Sequence, residues 1–214
     1  FKMDSPSTGN SYNRMQINTN GSFNTYWRVW TGDTTGTVVK RVFVTNAATS
    51  VQGNLYTNSS QSGSTAADSI CSTQASAASL GGTWKALVSA SVGNEPDWAV
   101  NRIGYNWSEL RLVNGTTVVY AGNLWMTESV SLLNAIVKDA TGTNVTTGYV
   151  WTGTHPNGLP YALYDSTYTC SSYTSNSGSL SGIAGLMTAA NSTWTNNTPA
   201  NCASSSGRLY CVEQ

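Results

Sequence analysis

The sequence predicts an α+β domain with few helices and long loops, and three observations carry that expectation. Residues 65 to about 80 place apolar side chains at helical spacing, whereas several short runs elsewhere are rich in β-branched residues. Between these runs lie polar stretches longer than ordinary connections, and four cysteines from residue 71 onward offer covalent ties for them.

Along the chain, Met15, Ile17 and Thr19 alternate with Gln16 and Asn18, Asn20-Gly21 is a turn signal, and Phe23 to Trp30 is aromatic and strand-like. These residues predict a β-hairpin with too few apolar side chains for a core of its own, so it leans on the following domain or on another copy of the chain. Gly32 to Gly36 reads as a flexible joint, which divides the chain into a neck at 1–37 and a main domain at 38–214. Val38 to Thr45 is short and β-branched, the pattern of a central strand. The helix follows a polar loop. Thr65 caps it with Asp68 as the acidic partner of a capping box, and Ala67, Ile70, Cys71, Ala75 and Ala78 share one face. Gly81-Gly82 ends it. Trp84 to Ser89, Val118 to Tyr120, Tyr149 to Thr152 and Arg208 to Val212 read as strands, and the stretches 91–115 and 153–200 are expected to lack regular elements.

Composition narrows the function. Of 214 residues only 9% are charged, with ten basic and ten acidic side chains and no net charge. Soluble domains usually carry about 25%. Ser, Thr, Asn and Gln, 84 residues together, supply the wettable surface instead. Without a basic excess there is no footprint for nucleic acid or for an anionic membrane surface. No apolar run approaches the roughly 20 residues of a membrane span, so no membrane insertion is expected. Eight Trp and eleven Tyr argue for a packed core rather than disorder. The chain opens at Phe1 with no basic and apolar signal segment ahead of it, and so reads as a piece of something longer or a processed product.

Cys71, Cys170, Cys202 and Cys211 are too dispersed for paired zinc ligands and read as disulfides of an oxidising, extracellular compartment, with three pairings open. A disulfide at Cys71 pins the helix to whichever strand holds its partner.

Several motifs resemble a known family: Arg41-Val42-Phe43-Val44-Thr45, the helix bearing Cys71, Leu80 to Ala86, Val150-Trp151-Thr152-Gly153-Thr154, Asn191 to Thr195 and Arg208-Leu209-Tyr210-Cys211. They are similar to the endostatin-like domains of bacterial secreted and surface proteins, which are related in fold to endostatin and more distantly to C-type lectin domains. Over 38–214 the resemblance implies a C-type-lectin-like domain with a twisted antiparallel sheet and nested disulfides, Cys71 with Cys211 and Cys170 with Cys202. Such loops are worth roughly 5 and 4 kcal/mol by loop entropy. Residues 1–37 fall outside it. Lectin-like domains on bacterial fibres often cap a trimeric β-rich shaft, so the resemblance implies a homotrimeric fibre tip, as on predatory bacteria.

Catalysis finds few candidates. His155 is the only histidine, no Gly-x-Ser-x-Gly elbow occurs, and Glu95 and Asp97 flank Pro96 in what reads as a solvated turn. No enzyme activity is expected. His155-Pro156-Asn157 and Trp194-Thr195-Asn196-Asn197 stand where calcium lectins carry their ligands, but His and Asn replace the carboxylates that calcium requires. The zinc-binding histidines and arginine patch of endostatin have no counterpart, so neither metal nor cofactor is expected.

What remains suits carbohydrate, which binds aromatic faces beside amide, hydroxyl and carboxylate groups. Asn157, Tyr161, Tyr164, Asp165, Tyr168 and Tyr173 lie in one long loop, and Asp97 and Trp98 in the other. Of these, Asp97, Trp98, Asn157, Tyr161, Tyr164 and Asp165 are the primary ligand-binding candidates. The expected function is a non-catalytic adhesin at the cell surface that recognises a glycan or another envelope component of another cell. The alternative is a protein-binding matrix domain.

Overall fold

The computed structural model describes residues 12–17, 23–28, 38–56, 61–90, 95–104, 107–120, 124–125, 131–163 and 167–214. In chain order the elements are β1 (Tyr12–Ile17), β2 (Phe23–Arg28), β3 (Val39–Val44), α1 (Gly63–Ala77), β4 (Trp84–Ala86), α2 (Ala99–Ile103), β5 (Glu109–Leu112), β6 (Thr117–Tyr120), β7 (Tyr149–Trp151), β8 (Ser181–Gly185), β9 (Thr198–Asn201), β10 (Gly207–Arg208) and β11 (Tyr210–Glu213). β1 and β2 pair antiparallel with Ile17 opposite Phe23, and the two form a sheet of their own. The Asn20-Gly21 turn and the Gly32 to Gly36 joint lie outside the described residues.

From residue 38 onward the chain forms an α+β domain. Five strands run in the order β4-β11-β3-β5-β6 and four in the order β10-β7-β8-β9. β3 is central, and its Val42–Val44 end is buried on both sides, which is why that end is apolar at consecutive positions rather than alternating, whereas Val39, Lys40 and Arg41 are partly exposed. Val42 and Val44 pack with Leu110, Val118, Tyr210 and Val212, whereas Phe43 packs with Ala67, Cys71, Trp84 and Cys211. Helix α1 covers the second face through Ala67, Cys71 and Ala75. Both disulfides form, Cys71 with Cys211 and Cys170 with Cys202, so the strand that the helix is pinned to is the C-terminal one.

Four expectations need correction. The sheets are not purely antiparallel, because β3 pairs parallel with β5 and β10 parallel with β7. Helix α1 begins at Gly63 with Ser62 as N-cap, not at a Thr65 cap, and it ends at Ala77, ahead of Gly81-Gly82. Asp68 serves no capping box: its Oδ1 accepts from the Ala86 N–H at 2.8 Å and pairs with Arg102. A guanidinium and a strand N–H outcompete the helix's own end for that carboxylate.

The stretches 91–115 and 153–200 do contain regular elements: α2 and β5 in the first, β8 and β9 in the second. β5 hid behind its charges. Glu109 and Arg111 point the same way two residues apart and neutralise each other at 2.6 Å. β8 hid behind its small residues, which packing demands: a Cβ on Gly185 would sit 1.9 Å from the Trp194 carbonyl oxygen, and one on Gly182 2.7 Å from Cys170 Sγ. β9 is an edge strand with Pro199 in it, which removes a free N–H from that edge. Among the described residues no helix is long and apolar enough to cross a membrane.

Candidate functional site

The two long loops meet at one place on the surface, and the chain's hydroxyls hold them there. Ser89 follows β4. Its N–H donates to the Thr152 carbonyl at 2.8 Å, and its Oγ accepts from the Ala99 N–H at 2.9 Å and lies 2.9 Å from Thr154 Oγ1. Thr152 Oγ1 in turn donates to the Thr195 carbonyl at 2.5 Å. Every one of these groups is buried, so the loops are fixed by satisfied polar contacts rather than by apolar burial alone.

Above this network the 153–163 segment turns tightly. Asn157 Oδ1 accepts from the Leu159 N–H at 3.0 Å, and Gly158 N–H donates to the His155 carbonyl at 2.8 Å. Gly158 has φ +81, and a Cβ there would meet Val100 and Trp125 at 2.8 Å. The turn brings His155 face to face with Tyr161, ring centroids 5.0 Å apart and planes within 10°. Tyr161 lies 6.2 Å from Tyr168. Three aromatic rings thus form a strip, and Tyr161 and Tyr168 are partly exposed.

Next to the strip the backbone does something rare. Cys170, Ser171, Ser172 and Tyr173 have φ of 46, 53, 58 and 57°, a complete left-handed helical turn without a glycine. Tyr173 N–H donates to the Thr169 carbonyl at 2.7 Å and Thr174 N–H to that of Cys170 at 3.1 Å. Left-handed helix costs about 1–2 kcal/mol per residue. The surroundings hold the turn at both ends. Cys170 is tied to Cys202. Tyr173 is buried, packs edge-on against Trp151 and donates its hydroxyl to the Ile183 carbonyl at 2.6 Å. Burial raises the Tyr173 hydroxyl well above the ordinary tyrosine range, so it stays a proton donor. Strain retained in this way clusters at functional sites.

Between strip and turn lies a depression of about 210 Å³ counted out to open solvent. Its buried members are Ser89, Ala90, Gly153 and Tyr173, its partly exposed ones Ala162, Tyr168 and Thr169, and exposed Ser172 stands at its mouth. None of its lining residues is charged.

The residues that the sequence singled out divide accordingly. Tyr161 lies on the strip. Trp98 is 7% exposed and belongs to the core beneath α2, so its face is not open to a ligand, and Asn157 is fully buried as a turn-former. Tyr173 supports the site from below. Asp97 is spent on structure: it accepts from Ser64 Oγ at 2.8 Å and lies 3.6 Å from the Arg102 guanidinium. Tyr164, Asp165 and the Glu95 side chain lie outside the described residues. Among the described residues of the aromatic loop, those brought together at the surface are His155, Tyr161 and Tyr168. Sequence reasoning missed Ala90, Ala162 and Ser172, for which no local signal exists. Gly153, at φ +56 with a Cβ position 2.6 Å from the Tyr173 ring, is the one member whose residue type is forced.

Among the described residues no three of His, Cys, Asp and Glu converge to hold a metal ion. Trp194 and Thr195, of the Trp194 to Asn197 segment that the sequence offered as a calcium-strand counterpart, are buried. A surface of stacked rings, hydroxyls and a small apolar hollow can bind a neutral ligand. No protein-family model matches the chain, and no curated protein matches it in sequence.

Proposed function

We propose that the protein is a non-catalytic adhesin of the cell surface, the tip of a homotrimeric fibre that binds a glycan or another polymer of a cell envelope without a metal. The observation that carries this reading is the strip of His155, Tyr161 and Tyr168 beside the hydroxyls of Thr169 and Ser172, next to a hollow whose described lining residues carry no charge. Pyranose rings present apolar faces rimmed by hydroxyls, and such a strip complements them through stacking and neutral hydrogen bonds. Buried disulfides, a neutral polar surface and a site held rigid by Ser89, Thr152 and Thr154 suit a ligand met outside the cell.

The fold reads as C-type-lectin-like and endostatin-like, a reading supported by the helix tied to the C-terminal strand and by the nested disulfides. The β1–β2 hairpin reads as the neck. A lone two-stranded hairpin is marginal in water, so packing against two further copies would stabilise it. Light scattering of the full chain should give a mass of three times 22.7 kDa; a single-chain mass at micromolar concentration removes the trimer. A glycan array tests recognition itself. Binding is expected for the native chain and lost in Tyr161→Ala/Tyr168→Ala, and an array without hits refutes it. A protein-binding role is the second reading, favoured by Leu163, which is 45% exposed in the same turn as Tyr161. Capture of a protein partner by a chain that binds no glycan would select it.

A further inference from the structure

The hollow beside the aromatic strip is small, and the hydroxyls of its buried residues are already used. Ser89 Oγ accepts from the Ala99 N–H and lies against Thr154 Oγ1, and the Tyr173 hydroxyl donates to the Ile183 carbonyl. Carbon therefore dominates what is left for a ligand to touch: the methyl groups of Ala90 and Ala162 and the ring of Tyr173. At its deepest the space takes about one water-sized group, which is also the scale of a methyl. A sugar hydroxyl inserted there would be stripped of water and find no partner, whereas a methyl loses nothing by leaving water. At the mouth the situation reverses. Ser172 is exposed, Thr169 partly so, and the left-handed turn is what carries both to the edge of the hollow.

We propose that this hollow is a subsite for the acetamido group of an N-acetylated sugar. The methyl enters between Ala90, Ala162 and Tyr173. The amide N–H and carbonyl remain at the mouth, within the zone of the Ser172 and Thr169 hydroxyls, and the sugar ring lies along Tyr168 and Tyr161. This rests on the glycan reading above and narrows it to 2-acetamido sugars. It also gives the left-handed turn a function: a right-handed turn through the same residues would carry Ser172 and Tyr173 away from the positions they hold around the hollow.

The test compares sugars that differ only in carrying acetamido or hydroxyl groups at C2: tri-N-acetylchitotriose with cellotriose, and N-acetyllactosamine with lactose, each titrated calorimetrically into the full chain. The acetylated member of at least one pair should bind about tenfold tighter or more, the discrimination that one well-filled apolar contact supplies. Ala162→Leu, which fills the hollow from its partly exposed side, should abolish that preference. Ser172→Ala, at the exposed mouth, should weaken the acetylated member alone. Tyr161→Ala should weaken both members equally. Equal binding within each pair, preference for the hydroxyl member, or a preference that survives Ala162→Leu with an unchanged melting temperature would overturn the subsite while leaving glycan recognition standing. Absence of binding by all four sugars and by every glycan on an array would overturn both.

Discussion

Replacing Ser171 and Ser172 by glycine should stabilise this protein, although the same substitution in a helix destabilises it. Both residues occupy the left-handed region, at φ of 53 and 58°, and both are exposed. The bond received at Ser171 goes to its main-chain carbonyl, from Thr174 Oγ1 at 2.6 Å, and survives the change. An L-residue in a left-handed turn costs about 1–2 kcal/mol, whereas glycine takes that conformation freely. Against this gain stands glycine's larger loss of freedom on folding, about 0.5–1 kcal/mol. The difference favours glycine by about 0.5–1 kcal/mol at each position, and each kcal/mol moves Tm by about 2–4 °C in a chain of this length. Ser76→Gly supplies the control, since Ser76 is exposed in the last turn of the right-handed helix α1 and its replacement should cost roughly a few tenths of a kcal/mol. Urea denaturation of the three variants reads both signs. A loss of stability in Ser171→Gly or Ser172→Gly equal to that in Ser76→Gly would refute a left-handed turn at 170–173, and with it the account of how the hollow is shaped.

Other perturbations have equally definite outcomes. Removing the Cys71–Cys211 disulfide by double alanine substitution, with a sequence separation of 140, should cost about 5 kcal/mol, and removing Cys170–Cys202, with a separation of 32, about 4 kcal/mol or less, because the strained turn then relaxes. Calorimetric melting gives the order, which would be wrong if the shorter loop mattered more. Gly185→Ala should cost 3 kcal/mol or roughly that, since its Cβ would meet the Trp194 backbone oxygen at 1.9 Å, whereas Gly81→Ala, with nothing within 4 Å, should cost only about 1 kcal/mol from its φ of +64. The Arg41 guanidinium holds the Glu213 carboxyl below its usual range through hydrogen bonds at 2.8 and 2.6 Å. Because the folded-state value is depressed, this stabilisation is complete above the ordinary carboxylate range and disappears as pH falls through the Glu213 value. Glu213→Gln should therefore be less stable than the native chain at neutral pH, and the gap should close on the acid side; a gap independent of pH would refute the linkage.

Much of the scaffold was legible in the residues themselves. β3 announces itself through its β-branched residues and through Val42-Phe43-Val44, consecutive apolar side chains that end up buried on both faces. The helix at Cys71 does so because its small residues recur at helical spacing. Where the reading failed, a distant group had changed what a residue was for. Asp68 looks like a capping carboxylate until Arg102 and the Ala86 N–H, 34 and 18 residues away, claim it. Trp98 looks like a loop aromatic open to a sugar until α2, hidden in a polar stretch, carries it into the core. β8 looks like a loop because its glycines answer to Trp194 and Cys170 rather than to their own neighbours.

The sequence by itself determined the class of surface and the scale of the core: an uncharged polar exterior, aromatic side chains to fill the interior, cysteines to tie it and a shortage of titratable groups for catalysis. These are properties of composition and local period, and they do not depend on which parts of the chain meet. Only the tertiary structure decided which aromatic residues face outward, that two sheets are mixed, and that Ala90, Gly153, Ala162 and Ser172 surround one hollow. The left-handed turn belongs to the same category. Cys-Ser-Ser-Tyr has no local preference for it, and the conformation is held from its two ends by the Cys170–Cys202 disulfide and the buried Tyr173 hydroxyl, bonded to the Ile183 carbonyl.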